Sequence, residues 1–307
     1  PAHRPGLIID GSEGRLNRLA LHGIAIDVGG MVIGVRGDGP TLLPVLNPEL
    51  RAFLTTSEPR VVLSLGHHMP KIPLNDCDII FESPGDWRFC RSRGQDFFVS
   101  GFSDRNERPE RVALFDRECT SIDVFDSVPP SDEDRANILT DWPFCQVLTA
   151  CLLGRGRGLL VHSCGVSDSG RGLLFVGNSG HGKSTMARLW AGRAIILNDD
   201  RIIIRRREDI FLMYGTPWHG DVKSCFPESV PVHKVFFLSQ STENYAVRVR
   251  GARAVAELLT RSFPPFWNAH GMSFTLDFAA ALCAAVPLYE LGFSPDEGIV
   301  EFVRCLD

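Results

Sequence analysis

The sequence predicts an α/β protein, α+β overall, with a β-rich domain over residues 1–130 and a second domain over residues 131–307. Three observations predict this organisation. Short alternating apolar runs separated by turn residues fill the first part. A stretch rich in proline, serine and aspartate, residues 127–134, is the best linker candidate. In the second part, an apolar run leads through a glycine-rich turn into a helical pattern.

The first part contains eight short runs with the alternating apolar pattern of strands. We predict strands at residues 24–28, 31–35, 61–65, 78–82, 87–90, 97–99, 112–115 and 122–125. Because short strands joined by glycine and proline turns commonly form hairpins, we expect an antiparallel sheet. No catalytic arrangement is recognisable in this part, so we expect it to recognise a substrate or a partner.

The second part mixes helical and strand patterns. A helical run at 142–153 has Pro143 in its first turn, where proline is accepted. The next strand, at 159–162, ends in His162. We predict further strands at 173–176, 194–197, 202–204, 211–214, 232–238 and 287–291, and helices at 185–190, 255–263, 274–285 and 299–305. This order indicates an α/β arrangement.

The glycine-rich turn is the most informative segment, because it has the Walker A order between an apolar strand and a helix start. Glycines let consecutive backbone N–H groups turn inward around phosphate oxygens, and the following helix adds the positive end of its dipole. In this pattern the lysine reaches the outer phosphates and the next hydroxyl joins the Mg²⁺ shell. The predicted nucleotide-binding residues are Gly177, Asn178, Ser179, Gly180, His181, Gly182, Lys183, Ser184 and Thr185. We therefore expect ATP and Mg²⁺ as cofactors.

Two adjacent carboxylates, Asp199 and Asp200, follow the apolar run at 194–197. A P-loop needs a carboxylate at the end of a neighbouring strand to hold the metal, and a second one can take the proton of an attacking hydroxyl. We name Ser184 and Asp200 as metal ligands and both aspartates as catalytic candidates, with the division between base and metal ligand left open. The alternative is a solvated pair in a turn.

His162 and Lys183 complete the catalytic candidates. A histidine at the end of an apolar strand is often a hydrogen-bonded structural residue. Here its strand is expected beside the strand that precedes the glycine-rich turn, which favours a role at the same site. The expected site thus combines one histidine, one lysine and two aspartates.

Composition excludes several classes of function. The 307-residue chain has a formal net charge of -5 and no long basic run, so nothing favours nucleic-acid binding. No apolar run reaches the ~18 residues needed to cross a bilayer, and residues 1–10 lack a signal-peptide pattern, so we expect a cytoplasmic protein with no membrane partner. Nine scattered cysteines without a CxxC pair favour reduced, buried thiols over a zinc site or a disulfide framework.

Three segments together resemble the catalytic domain of HPr serine kinase/phosphorylase. They are residues 161–163 with their histidine, residues 174–185 with the Walker A order, and residues 197–200 with the tandem aspartates. The glycine-rich turn is similar, more remotely, to that of phosphoenolpyruvate carboxykinases, but the chain is too short for that enzyme. The resemblance implies a P-loop domain of the HPr kinase/PEP carboxykinase type over residues 131–307.

The same resemblance implies roles for individual residues. His162 would assist near the γ-phosphate, Lys183 and Ser184 would contact phosphate and Mg²⁺, and the tandem aspartates would supply base and metal ligand. Residues 214–221, which contain a tryptophan, a histidine and an aspartate, look like a segment of the HPr-kinase-like proteins encoded beside peptide-modification genes, including lasso-peptide tailoring kinases. A buried aromatic turn is the alternative for this segment.

These observations lead to a functional hypothesis. We expect an ATP- and Mg²⁺-dependent kinase that transfers the γ-phosphate to a hydroxyl, with serine as the first candidate, of a peptide or small protein. The glycine-rich, arginine-containing signature of true HPr kinases is missing, so HPr is not the expected acceptor. The alternatives are a nucleotide-gated peptide- or partner-binding module without phosphotransfer, simple ATP hydrolysis, and a kinase of a small metabolite such as free serine. The resemblance also implies a homo-oligomer.

Overall fold

The computed structural model describes residues 23–37, 45–66, 69–70, 77–83, 87–101, 109–128 and 130–306. Within these residues the protein is a mixed α/β fold with two eight-stranded sheets and seven α-helices. The α/β class predicted from the sequence is confirmed at this level. Residues 1–10, in which no signal peptide is expected, lie outside the described residues.

The first sheet is formed by eight strands that precede residue 127. They are β1 Ile24–Val28, β2 Met31–Gly37, β3 Val61–Gly66, β4 Asp78–Ser83, β5 Trp87–Ser92, β6 Gln95–Ser100, β7 Arg111–Phe115 and β8 Ser121–Asp126. Their order across the sheet is β1-β2-β3-β8-β7-β6-β5-β4. All eight predicted strands are present, each extended by no more than two residues at either end.

The expectation of an antiparallel sheet is wrong around β3. This strand pairs in parallel with β2 on one side and with β8 on the other. Parallel neighbours need a crossover rather than a hairpin, and the chain between β2 and β3 contains a short helix, α1 Pro48–Arg51, capped by Asn47. The alternation of apolar residues predicts strands but carries no information on their direction.

The predicted linker is partly helical. Helix α2, Asp132–Ala136, begins inside residues 127–134, because Ser131 and Asp134 form a reciprocal capping box at its start. A 3₁₀ turn, Ile138–Thr140, and helix α3, Phe144–Leu153, follow. Pro143 occupies the N-cap of α3 rather than its first turn.

The second sheet contains the glycine-rich turn. Its strands are β9 Leu159–Asp168, β10 Arg171–Val176, β11 Ile195–Asn198, β12 Arg201–Arg207, β13 Ile210–Tyr214, β14 Ser229–Gln240, β15 Tyr245–Val249 and β16 Leu288–Phe293. The helices are α4 Lys183–Trp190, α5 Gly251–Leu259, α6 Ala269–Ala285 and α7 Gly298–Arg304. Because β10 pairs with both β9 and β14, the ladder through β9, β12, β13, β14 and β10 closes on itself.

Helices cover both faces of β10. Leu174 and Val176 belong to the apolar core beneath α5 and α6, whereas Leu173 and Phe175 belong to the core beneath α4 and α7. A strand buried on both faces needs apolar residues at every position. This explains why the run before the glycine-rich turn is continuously apolar rather than alternating.

Two expectations for the second sheet need correction. The strand predicted to end at His162 continues to Asp168, so His162 lies within β9 and not at its end. Strand β15 was not predicted, although Arg248 is the one charged residue of its five. It lies at the edge of the sheet, and only Val249 in it is buried.

The two sheets share one apolar core. Leu160, Ile203 and Tyr214 of the second sheet pack in the same cluster as buried side chains from β1, β2, β3 and β5 to β8. The Trp267 ring lies 5.2 Å from that of Phe89, centroid to centroid, and also contacts Phe81 and Trp87. Residues that precede the glycine-rich turn by about a hundred positions therefore help to fix the segment that follows it.

Helices long and apolar enough to cross a membrane are not found among the described residues.

We predict that Trp267→Ala lowers the free energy of unfolding by about 2 kcal/mol or more, because it removes a large ring that packs on three aromatic residues. Urea denaturation followed by circular dichroism measures this change. The neighbouring Phe266→Ala is the matched control. Its side chain is 61% exposed, and we expect a loss below about 1 kcal/mol. Equal losses in both variants would contradict the proposed packing role.

Candidate active site

The glycine-rich turn connects β10 to α4. Gly182 is the N-cap of α4 and has a left-handed backbone with φ of 95°, and no side chain caps the helix. The first-turn N–H groups of a helix have no acceptor inside the helix. These donors are therefore open to an anion, together with the positive end of the helix dipole.

Close packing requires glycine at both ends of the turn. A Cβ atom on Gly177 would lie 2.8 Å from the Cβ of His181, and one on Gly182 would lie 2.6 Å from the Phe293 ring. Real Cβ atoms do not approach so closely. In the middle of the turn Gly180 has a φ of 82° and open space around it. The turn thus has the geometry of a cradle for phosphate.

Lys183 starts helix α4 and turns its side chain inward. It is only 6% exposed, and its Nζ donates to the Asn178 carbonyl at 3.2 Å. Burial lowers the pKa of the Lys183 ammonium, while the carboxylates of Asp200 and Asp199 oppose that shift. A desolvated cation held under the turn gains more from a phosphate anion than a solvated one does.

Asp199 and Asp200 lie between β11 and β12, and both of these strands pair with β9. Strands β11 and β12 lie end to end along the same side of β9, and β10 lies on its other side. The Ser163 N–H of β9 donates to the Asp200 carbonyl at 2.9 Å. The aspartates are thereby placed one strand away from the glycine-rich turn.

Asn198 shapes the break between β11 and β12. Its side-chain oxygen accepts from the N–H groups of Asp200 and Arg201, at 2.8 and 2.9 Å, and its amide donates to the Thr216 carbonyl at 2.9 Å. An asparagine that bonds to backbone N–H groups two and three residues ahead stabilises a turn. Asn198 is fully buried, so these bonds cannot be replaced by water.

Asp199 is also fully buried, and both of its carboxylate oxygens are occupied. They accept from the backbone N–H groups of Gly220 and Val222 at 2.7 and 3.0 Å. A Cβ atom on Gly220 would lie 3.1 Å from the Asp199 carboxylate, so the small residue permits this approach. Asp199 thus anchors the loop that contains residues 217–222.

Asp200 faces the histidine of β9. The Nε2 atom of His162 lies 2.9 Å from its Oδ1, and the Nε of Arg201 donates to its Oδ2 at 3.1 Å. Burial alone would raise the pKa of the Asp200 carboxyl, but the hydrogen bond and charge of His162, with those of Arg201, outweigh it and lower the pKa to about 2. Asp200 is therefore ionised at neutral pH.

Arg201 is itself fixed by aromatic rings. Its guanidinium lies 4.0 Å from the centre of the Trp142 ring and 4.7 Å from that of Phe263, and it donates to Gln146 at 3.2 Å. An arginine between two aromatic faces keeps its charge without full hydration. Helix α3 and the segment before it therefore help to orient Asp200.

The structure brings together the residues that the sequence singles out. His162 accepts the Gly177 N–H at its carbonyl, at 3.2 Å, and contacts Asp200 with its ring, so one residue touches both the start of the turn and the carboxylate. The remaining members of the turn are accessible. Asn178, Ser179 and Gly180 are exposed, and His181, Ser184 and Thr185 are half-buried.

The donor set fits a bound nucleotide and Mg²⁺. The uncapped helix start, the glycine cradle and the buried ammonium suit phosphate oxygens. Within the described residues no three His, Cys, Asp or Glu side chains are grouped as a metal site. Mg²⁺ in such sites commonly takes one or two carboxylates together with substrate phosphates and waters. Ser184 and one of the two aspartates are the residues that would hold it.

Sequence reasoning missed Asn198, Arg201 and the Trp142–Phe263 pair. A signal existed for Asn198, since an uncharged polar residue directly after a buried strand often bonds to the backbone of the turn. The stacking partners of Arg201 lie 59 and 62 positions away along the chain, and no local pattern connects them.

Comparison with known proteins gives little beyond this geometry. No protein-family model and no curated protein matches the chain. Among solved structures, the chain is similar to the Hpr(Ser) kinase/phosphatase from Coxiella burnetii, with 12% sequence identity and a TM-score of 0.29. The similarity covers 47% of this chain and 93% of that one. The function is therefore derived from the residues of the site.

We predict that Asn198→Ala lowers the free energy of unfolding by about 2 kcal/mol, because it removes the hydrogen-bond partner of two part-buried N–H groups and of one buried carbonyl. Urea denaturation measures the loss. Asn178→Ala, at an exposed position of the glycine-rich turn, is the control, and we expect it to change stability by less than about 0.5 kcal/mol. An unchanged Asn198→Ala midpoint would show that the turn does not depend on this side chain.

We predict that His162→Ala raises the pKa of Asp200 from about 2, because the hydrogen bond and charge of His162 no longer offset the effect of burial. Carbon-13 NMR titration of the aspartate carboxyls measures the shift, with Asp200→Asn identifying the resonance. In the unaltered protein this carboxylate stabilises the fold above about pH 4, and the contribution is lost as the pH falls towards 2.

The control for this titration is His233→Ala, which removes a histidine from β14. It is expected to leave the Asp200 resonance where it is. A His162→Ala titration that superimposes on that of the unaltered protein would disprove the electrostatic coupling between His162 and Asp200.

Proposed function

We propose that this protein is an ATP- and Mg²⁺-dependent kinase that transfers the γ-phosphate of ATP to a hydroxyl group, with serine in a peptide or small protein as the first candidate. One observation carries the proposal. An ionised carboxylate, Asp200, is held by His162 in the strand next to a glycine-rich turn with a buried lysine. Only one strand, β9, therefore separates the glycine-rich turn from this carboxylate.

The residues of the turn bind and orient the nucleotide. Backbone N–H groups of the first turn of α4 donate to phosphate oxygens, and the Lys183 ammonium lies against the outer phosphates. Mg²⁺, when bound through Ser184 and an aspartate, neutralises charge on the phosphate oxygens. Phosphoryl transfer depends mainly on positioning and charge stabilisation, so few further catalytic groups are needed.

Asp200 is the better candidate for the proton acceptor. Both oxygens of Asp199 accept backbone N–H groups in a fully buried position, and this binds Asp199 to the loop. Asp200 is partly accessible, with 24% of its side chain exposed. The acceptor oxygen bonds to the γ-phosphorus, the bond from that phosphorus to the bridging oxygen breaks, and the hydroxyl proton passes to Asp200.

A carboxylate with a pKa of about 2 is a weak base, and this is compatible with the proposed role. In a loose transition state the attacking oxygen has formed little of its new bond, so its proton is not yet strongly acidic and is transferred late. What matters first is that the hydroxyl is hydrogen-bonded in line with the phosphorus. His162 and Arg201 hold the carboxylate for that purpose.

The test separates nucleotide binding from transfer. Calorimetric titration with Mg-ATP is expected to show at least a tenfold loss of affinity in Lys183→Ala, since a buried charge partner of the phosphates is removed. Asp200→Asn is expected to bind Mg-ATP within a few fold of the unaltered protein. Its phosphorylation of serine peptides should fall by at least a hundredfold, a typical contribution of a general base. Mass spectrometry of the peptide and ADP release provide the readout.

Arg206→Ala is the matched control for the lost positive charge, because Arg206 pairs with Asp209 at the exposed hairpin beyond β12. It should change neither measurement. Full phosphotransfer by both Asp199→Asn and Asp200→Asn would rule out the role of these aspartates in transfer, and absence of any phosphorylated product from the unaltered protein would rule out the kinase assignment. Lys183-dependent binding of Mg-ATP without any phosphorylated product would instead favour a nucleotide-gated binding module.

A further inference from the structure

A cavity of about 330 Å³ opens beside Asp200, on the side of the first sheet. Neither the glycine-rich turn nor Lys183 lines it. Its walls come from four parts of the chain: the α1 segment, the 3₁₀ turn with the start of α3, the start of β12, and the loop anchored by Asp199. The lining residues are Asn47, Glu49, Thr140, Trp142, Cys145, Asp200, Arg201, Pro217, Trp218 and His219.

The walls of this cavity are tied together by hydrogen bonds. The backbone N–H of Asn47 donates to the side chain of Asn137 at 2.9 Å, which fixes α1 to the segment before the 3₁₀ turn. The indole N–H of Trp218 donates to the Leu139 carbonyl at 2.7 Å, which fixes the loop to the same turn. The cavity is therefore a built feature of the fold, with Asp200 at one boundary.

A pair of side chains gives the cavity its chemical preference. The Nε2 atom of His219 lies 3.5 Å from the Glu49 carboxylate, and the Nδ1 atom lies 2.8 Å from the Gly220 carbonyl. A carbonyl only accepts, so Nδ1 carries the proton and donates it. In the neutral imidazole Nε2 is then an acceptor, and it faces another acceptor, Glu49.

With the imidazole neutral, these two acceptors lie close enough to share one cationic donor bound in the cavity. Glu49 and His219 are both largely buried, with 25% and 23% of their side chains exposed, so bulk water screens them poorly. A primary ammonium has three N–H donors and no acceptor. The flat faces of Trp142 and Trp218 offer room for the apolar stem that carries such a group.

We propose that this cavity is the acceptor subsite and that the acceptor is a hydroxyl compound bearing a primary ammonium group, with the hydroxyl at Asp200 and the ammonium between Glu49 and His219. This inference rests on the proposed function and names the substrate class for it. The ammonium belongs either to free serine or an N-terminal serine, or to a lysine next to a serine in a peptide. The chemistry recognised in the cavity is the same in each case.

The transfer step is balanced by the groups already described. The acceptor hydroxyl oxygen bonds to the γ-phosphorus of ATP, ADP leaves with the bridging oxygen, and the proton of the hydroxyl goes to Asp200. The ammonium does not react. Glu49 and His219 are specificity-determining residues, and their substitution is expected to change KM for the acceptor more than kcat.

The experiment compares matched acceptors with Mg-ATP as donor. The probes are free L-serine, the unblocked tripeptide amide Ser-Ala-Ala, and three peptides blocked at both ends: Ala-Ser-Lys, Ala-Ser-Ala and Ala-Ser-Glu. Phosphorylated product is measured by mass spectrometry. We expect at least one ammonium-bearing probe to have a kcat/KM at least tenfold above the neutral and acidic peptides. Free serine, the unblocked tripeptide and the lysine peptide distinguish the three sources of the ammonium.

Charge variants of Glu49 test the assignment directly. Glu49→Gln should raise KM for the ammonium-bearing probes at least fivefold with little change in kcat, and Glu49→Lys should reverse the preference towards the acidic peptide. Glu58→Gln, at an exposed position of the N-terminal part, is the control and should leave the preference unchanged. Unaltered Mg-ATP affinity in each variant shows that the protein remains folded.

Three results would overturn the inference. They are equal use of neutral and ammonium-bearing probes, a preference that survives Glu49→Lys, and a protein that binds Mg-ATP but phosphorylates none of the probes. The first two results leave phosphotransfer itself intact, so the proposed function would stand without the acceptor subsite. The third would also count against the proposed function and favour a nucleotide-gated binding module. Absence of Mg-ATP binding would instead refute the proposed function itself, and the acceptor subsite with it.

Discussion

The pairing of β9 with strands on both of its sides is the constraint on which the candidate site depends. On one side β10 delivers the glycine-rich turn, and on the other β11 and β12 deliver the two aspartates from the break between them. A strand has only two edges for backbone pairing, so β9 fixes the distance between the glycine-rich turn and the carboxylates. His162, in the middle of β9, touches both.

Charge at the site is maintained against burial. Lys183 and Asp200 are both held where loss of water disfavours their charged forms, and each is offset by fixed partners rather than by solvent. For Asp200 the partners are strong enough to bring its pKa below the ordinary value. For Lys183 burial prevails, and the pKa falls. The protein partners of Asp200 thus fully offset the cost of burying its charge. Those of Lys183 do not, and a phosphate anion beside the ammonium would supply the missing stabilisation.

The sequence predicts what depends on neighbouring residues. The turn at residues 177–184 is recognisable in the sequence because the Walker A order consists of consecutive residues. Strand β10 is recognisable because a strand buried on two faces must be apolar throughout. The partners with which strands and side chains pair cannot be recognised in this way. The parallel placement of β3, the continuation of β9 beyond His162 and the ring stack on Arg201 each depend on contacts between distant segments. The periodicity of a single sequence carries no information about such contacts.

The loop at residues 217–222 connects the two halves of this arrangement. At one end Asp199 accepts the N–H groups of Gly220 and Val222, and at the other Trp218 bonds to the 3₁₀ turn that follows the first sheet. A displacement of the loop would break hydrogen bonds to a buried carboxylate, which is costly because no water can replace them. The loop therefore connects the two aspartates to the N-terminal part by hydrogen bonds. The walls of the cavity beside Asp200 must then move together with the residues that hold the aspartates.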